Sequence, residues 1–241
     1  MRKGRFAIAA VSLVALVSCS PEGDEPATPA DEVLRGSRRA MGGESAARGI
    51  GFARFRAAAT GPEGGYEVTV HANAEGDVRL DFSLGFSGSA TSDDGWVRFG
   101  PGEPIASLTD TLETFVRGHD LLMNALHPET RYGPLRLIGE RTFVEVEAFR
   151  LDGVDALGAP IEFYYSRADT LPLGFRLLDH LRGAGPVTTL FLDWQRRGDV
   201  RLPMAARFVQ GDEVFEYEMA EVETGETGDA DVFQPDSDVS G

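Results

Sequence analysis

Four histidines, one cysteine, one lysine and a large excess of carboxylates are the side chains here that could do chemistry. His71, His119, His127 and His180 form no H-x-x-H or H-E-x-x-H element, so no pair has the spacing that puts two imidazoles on one metal. His119 falls on an apolar helical stripe, where a lone histidine is more often packed and hydrogen-bonded than catalytic. Lys3 is the sole lysine and lies in an N-terminal leader, so Schiff-base, pyridoxal-phosphate and Ser–Lys chemistry lose their essential residue when that leader is cut. Gly85-Phe-Ser-Gly-Ser89 has the serine of a nucleophile elbow without its closing glycine, and reads as a strand end and turn. Gly49-Ile-Gly51 and Gly100-Pro-Gly102 lack the helix start that aims amides at a phosphate. Asp229-Ala-Asp231 and Asp236-Ser-Asp238 lack the glycine turn and distal glutamate of a calcium loop. The 39 acids contain no spacing that selects one carboxylate pair for acid–base work. The expectation is a protein that is not an enzyme and holds no metal or cofactor.

The elements that would position these groups follow from hydropathy. Thr28-Pro29-Ala30-Asp31 has capping-box form and Gly42-Gly43 supplies a stop, which predicts a helix over 29–41. From Ile50 the period changes to two, most clearly where Val78, Leu80, Phe82, Leu84 and Phe86 alternate with Arg79, Asp81, Ser83 and Gly85. Similar runs at 50–59, 65–73, 95–99, 135–149, 160–167, 172–179, 186–196, 201–210 and 213–223 bring the total to about ten strands at antiparallel meander spacing. One segment interrupts them. Ile105, Leu108, Leu112, Phe115, Val116, His119, Leu122, Met123 and Leu126 recur at helical spacing, as one helix of six turns or two broken at Gly118. Either form carries an apolar face that the concave side of the sheet would cover. The fold class read from this is α+β, mostly antiparallel β.

Charge excludes some partners. With 23 cations against 39 acids the formal charge is −16, so no basic excess exists to displace counterions from nucleic acid. Residues 208–241 carry eleven acids and no Lys or Arg; Val214, Glu216 and Glu218 alternate there with Phe215, Tyr217 and Met219 as a strand with one charged face. Val232-Phe233 is expected to dock back on the domain.

Arg2, Lys3 and Arg5, the apolar run over 6–17 and Leu16-Val17-Ser18-Cys19 resemble the signal and lipobox of bacterial lipoproteins. The run is shorter than the ~20 apolar residues of a spanning helix. The resemblance implies that residues 1–18 are a signal peptide and that Cys19 is lipidated and anchors the chain to a membrane, with Ser20 after it pointing to the outer membrane. Residues 19–30 then form the lipidated cysteine and a tether rich in proline and acids.

The helix with Asp-Glu-Val-Leu-Arg-Gly-Ser-Arg-Arg-Ala-Met-Gly-Gly43, the strands and the inserted amphipathic segment together resemble the LolA/LolB-like superfamily of lipoprotein carriers. Local echoes are Phe163-Tyr-Tyr-Ser-Arg-Ala-Asp-Thr-Leu-Pro-Leu173, Asp193-Trp194 with Arg201-Leu-Pro203, Glu216-Tyr217, and Asp231-Val-Phe-Gln-Pro235. The resemblance implies an incomplete half β-barrel over 31–235, closed on its concave face by helices around a cavity for acyl chains, with 236–241 a disordered acidic tail. The expected ligand-binding residues are Phe82, Leu84, Phe86, Trp96, Leu108, Leu112, Phe115 and Leu122, and the expected partners are a membrane through Cys19 and a hydrophobic ligand or lipoprotein acyl chain. A second reading is a filled-core interaction module whose acidic face at Glu213, Glu216, Glu218, Glu221 and Glu223 meets a basic partner.

Overall fold

The computed structural model describes residues 27–155, 157–178 and 185–236. Cys19, the signal segment and most of the tether lie outside the described residues. The first helix, α1 (Pro29–Met41), starts with both halves of the expected capping box: the Asp31 amide donates to Thr28 Oγ1 at 3.2 Å and the Thr28 amide to an Asp31 carboxylate oxygen at 2.7 Å. A short α2 (Glu44–Arg48) follows, then β1 (Phe52–Gly61), β2 (Gly64–Asn73), β3 (Val78–Phe82), β4 (Ser87–Ala90), β5 (Gly95–Arg98) and β6 (Ala106–Ser107). Three short helices, α3 (Asp110–Gly118), α4 (Leu121–Leu126) and α5 (Pro128–Arg131), lead to β7 (Arg136–Phe143), β8 (Val146–Val154), β9 (Pro160–Ser166), β10 (Pro172–Leu177), β11 (Val187–Arg197), β12 (Val200–Gln210) and β13 (Glu213–Gly225). No helix among the described residues is long and apolar enough to cross a membrane.

Among the described residues thirteen strands form one antiparallel sheet in the order β6-β5-β4-β3-β2-β1-β13-β12-β11-β10-β9-β8-β7. Every neighbour is a hairpin partner except β1 and β13, which zip the two halves together from Phe52↔Gly225 to Thr60↔Glu216. The sheet does not close. β6 and β7 are its free edges, and α3 to α5 run between those edges across the concave face. Buried side chains alternate along each strand as that face requires: Ala53, Phe55, Ala57 and Ala59 on β1, Val68, Val70 and Ala72 on β2, and Leu202, Met204, Ala206 and Phe208 on β12. The alanines of central β1 leave the depth into which fully buried Leu121, Leu122 and Leu126 of α4 pack.

Three sequence expectations needed revision, each for a local reason. The run over 135–149 is two strands, because Val144 and Glu145 take φ of 45° and 68° and turn the chain in two residues without the usual Asn-Gly signature. The run over 78–86 stops at Phe82: Gly85, at φ 102°, lets the chain fold back, Phe82 donates to the Phe86 carbonyl at 2.8 Å, and β4 begins at Ser87. Two-residue β6 was the third addition, so ten expected strands became thirteen. In the helical segment Ile105 and Leu108 precede the first helix, and the break falls at His119, after which Asp120 caps α4 by accepting from the Met123 amide at 3.0 Å.

The last described residues form a strap on the convex face. A 3-10 turn, Ala230–Phe233, seats Phe233, whose carbonyl accepts from the Trp96 indole at 2.9 Å. Arg79 donates to the Val232 and Gln234 carbonyls and pairs with Asp81 and Asp236. Asp236, assigned to the tail, is thus held by the domain, and residues 237–241 lie outside the described residues.

Candidate functional site

At one end of the concave face the strands leave an aromatic space. β2 contributes Tyr66, β3 Phe82, β12 Phe208 and β13 Phe215 and Tyr217, while α3 and its cap bring Phe115 and His119 over them. Ring centroids lie 5.5 Å apart for Tyr66 and Phe82, 6.1 Å for Phe82 and Phe115, and 4.7 Å for Phe208 and Tyr217, mostly edge-to-face. These rings, with Val187, Gln210 and Glu213, bound a cavity of about 300 Å³. It continues past Tyr66, Phe82, Glu213 and Phe215 into a mouth of about 390 Å³ framed by 61–65 and Leu84.

Polar groups in this wall are few and satisfied locally. His119 is buried, with Nδ1 2.8 Å from the Phe115 carbonyl oxygen and its ring 4.6 Å from the Phe115 ring. The Tyr66 and Tyr217 hydroxyls approach to 3.4 Å, and burial pushes the Tyr217 phenol well above its ordinary range, so it stays protonated. Among the described residues no group of three His, Cys, Asp or Glu side chains could hold a metal. The arrangement is built for apolar burial with two or three orienting contacts.

The expected ligand residues divide. Phe82 and Phe115 line the cavity, Phe86 packs beside them, tilted against one and edge-on to the other with centroids 5.6 and 5.7 Å away, and Leu84 reaches only the lip. Leu84 is 72% exposed there; Phe99, 64% exposed, reaches the cluster through the Phe86 ring at 5.8 Å. Trp96 lies elsewhere: its neighbour Val97 takes the concave position, and the indole faces the strap under Phe233. Leu122 is fully buried core, Leu112 is half-buried on α3 away from the cavity wall, and Leu108 borders a different cleft. Tyr66, Phe208, Phe215 and Tyr217 were missed as ligand residues. Their alternation was visible in the sequence, but the pairing that brings β2 and β12–β13 to one end was not.

That different cleft is larger, about 440 Å³, but polar: Glu75, Asp93, Asp94, Glu113 and Asp155 surround Arg117 and Arg131. Both guanidiniums are engaged, Arg117 by Glu113 and the Gly76 and Thr91 carbonyls, Arg131 by buried Asp120 at 2.8 Å. The aromatic space is therefore the better candidate despite its smaller volume, since its walls offer uncommitted apolar surface.

The acidic face also divides. Glu216, Glu221 and Glu223 point to the convex side and pair with Arg207, Arg56 and Arg54 on adjoining strands. Glu213 shares the concave face with Phe215 and Tyr217 and stands at the cavity mouth. The charge run is thus largely a set of cross-strand ion pairs, and this removes the main support for a basic partner on that face.

An open antiparallel half-barrel with helices across its concave face and an apolar space at one end defines the class. No family model matches the sequence, and no curated protein matches it. Solved structures do. A LolA superfamily protein from Nitrosomonas europaea superposes with a TM-score of 0.58 at 10% identity, over 87% of this chain and 99% of that one. An outer membrane lipoprotein-sorting protein domain from Vibrio parahaemolyticus gives 0.57 at 12%, over 85% and 97%. A DUF1329 family protein from Desulfovibrio piger gives 0.56 at 11%, over 86% and 97%. The chain has a LolA-like fold.

Proposed function

We propose that this protein is a non-enzymatic lipoprotein of the bacterial outer membrane, anchored through lipidated Cys19 and facing the periplasm, that binds an acyl chain in the aromatic cavity. The observation that carries the reading is the cavity itself: about 300 Å³ of ring-lined space on the concave face, opening to solvent past Tyr66 and Phe82. Exposed Leu84 at the lip supports exchange with an apolar phase, and exposed Phe99 extends the apolar surface beside it through Phe86. The lipobox-like Leu16-Val17-Ser18-Cys19 supports the anchor, and the superposition on a lipoprotein-sorting domain supports a role in lipid or lipoprotein trafficking. Binding would act through burial at roughly 25 cal/mol per Å² of apolar area, giving broad chain specificity.

The test is native mass spectrometry of the chain from Ser20 onward, purified without detergent, before and after denaturation. All thirteen strands and their helices lie within that length. Adduct mass that is lost on denaturation and identified as fatty acid or phospholipid is the expected result. A protein that carries no adduct and takes up no added fluorescent acyl probe would overturn the reading.

A further inference from the structure

A ligand whose tail enters the aromatic cavity must leave its head group at the mouth, and the charged side chains among the described residues there are of one sign. Among the described residues lining cavity and mouth, the carboxylate-bearing ones are Glu63 and Glu213, and no Lys or Arg accompanies them. Glu63 lies in the β1–β2 turn and Glu213 opens β13, and these ends adjoin because β1 pairs with β13. Both are exposed, and neither is in an ion pair among the described residues. On β13, Glu216, Glu221 and Glu223 each have an arginine, and exposed Glu218, on the convex side, is in no ion pair among the described residues. The other polar groups among the described lining residues are Gln210, the Tyr66 and Tyr217 hydroxyls and the His119 ring.

We infer that the mouth selects single-chain amphiphiles carrying an ammonium head group over those carrying a carboxylate. The inference rests on the acyl-binding reading above and specifies its ligand. Tail burial is indifferent to head charge, so discrimination must come from the head's surroundings. A cation held between two unpaired carboxylates is attracted by both, whereas an anion at the same depth is repelled by both, and ion pairing elsewhere on the sheet offers no compensation. Because the mouth is open to water, the effect is moderate and depends on salt.

The experiment displaces a fluorescent acyl probe from the chain beginning at Ser20 with three twelve-carbon ligands below their micelle concentrations: dodecyltrimethylammonium, dodecanoate and dodecanol. It is run at pH 8, above the ordinary histidine range. At low salt the ammonium should bind about five- to tenfold tighter than the carboxylate, with the alcohol between, and the spread should shrink at 0.5 M salt. Glu63→Gln with Glu213→Gln should bring the three affinities together, each ion being read relative to dodecanol on the same variant. Glu145→Gln with Glu218→Gln, which removes two exposed carboxylates away from the mouth, should keep the preference and so separate a local effect from net charge. Equal binding of ammonium and carboxylate at low salt, tighter binding of the carboxylate, or a preference that survives the mouth double variant would overturn the inference while dodecanol binding upholds the cavity. Failure of dodecanol and both ions alike to displace the probe would overturn the two together.

Discussion

The volume of the aromatic cavity sets a length for the chain it can bury. At roughly 30 Å³ per methylene, about the space one water occupies in the liquid, the inner 300 Å³ takes about ten carbons before the chain emerges at Tyr66 and Phe82. Each methylene moved from water into the cavity contributes about 0.8 kcal/mol, close to fourfold in affinity. Going from six carbons to ten should therefore add about 3 kcal/mol, roughly two hundredfold. Beyond ten, added carbons lie in the open mouth and gain much less. Linear alcohols test this without head-group charge, by displacement of a fluorescent acyl probe, and a plot of log affinity against carbon number should climb and then bend near ten. Val187, buried at the start of β11, forms part of the inner wall, and Val187→Phe should move the bend to shorter chains. A slope that stays near fourfold per carbon to sixteen carbons, or no dependence on length, would refute the assignment of this space as the tail site.

Other consequences separate core from cavity. Leu122→Ala should cost about 2–5 kcal/mol in chemical denaturation, because Leu122 is fully buried, yet leave probe affinity of the folded fraction unchanged. Phe115→Ala should instead weaken the probe about tenfold, since its ring walls the cavity; equal affinities in the two variants would count against the division drawn here. Burial, reinforced by Arg54, pushes the His71 imidazole down to about 4, so the fold holds it neutral. Its contribution is complete above pH 6.5 and is lost as pH falls toward 4; allowing for its partial exposure this is roughly 1–2 kcal/mol. Urea titrations at pH 7 and 4.5 should show that share of the acid sensitivity missing in His71→Gln. Arg79→Gln removes the clamp on the strap, about 1.5–3 kcal/mol for a buried charged hydrogen-bond set, and should speed amide exchange at 230–236; unchanged exchange would show that the strap holds without it.

Legibility in the sequence followed the range of the interaction. The first helix was readable to the residue because capping is a contact between Thr28 and Asp31, three positions apart. Strand faces were readable wherever alternation was uninterrupted, as on β12 from Val200 to Phe208. The β7–β8 turn was not, because Val144 and Glu145 carry no intrinsic preference for positive φ and are held there by the paired strands on either side. Candidate residues on one apolar stripe, Leu108, Leu112, Phe115 and Leu122, went to four surroundings: Leu108 precedes α3, Leu112 and Phe115 differ in position on it, and Leu122 follows the break that Asp120 caps.

By itself the sequence determined an acidic domain with one-sided antiparallel strands, an amphipathic helical insertion and no recognisable catalytic motif, because hydropathy period, capping and charge count are local properties. Only the tertiary structure decided that β1 meets β13, and with that pairing everything that defines the site. It brings Tyr66, Phe82, Phe208, Phe215 and Tyr217 from distant parts of the chain to one end. It gives arginines to Glu221 and Glu223 while leaving Glu213 at the mouth. A strand pattern states which side chains share a face; which faces join, and what stands at their ends, depends on pairing between residues more than a hundred positions apart.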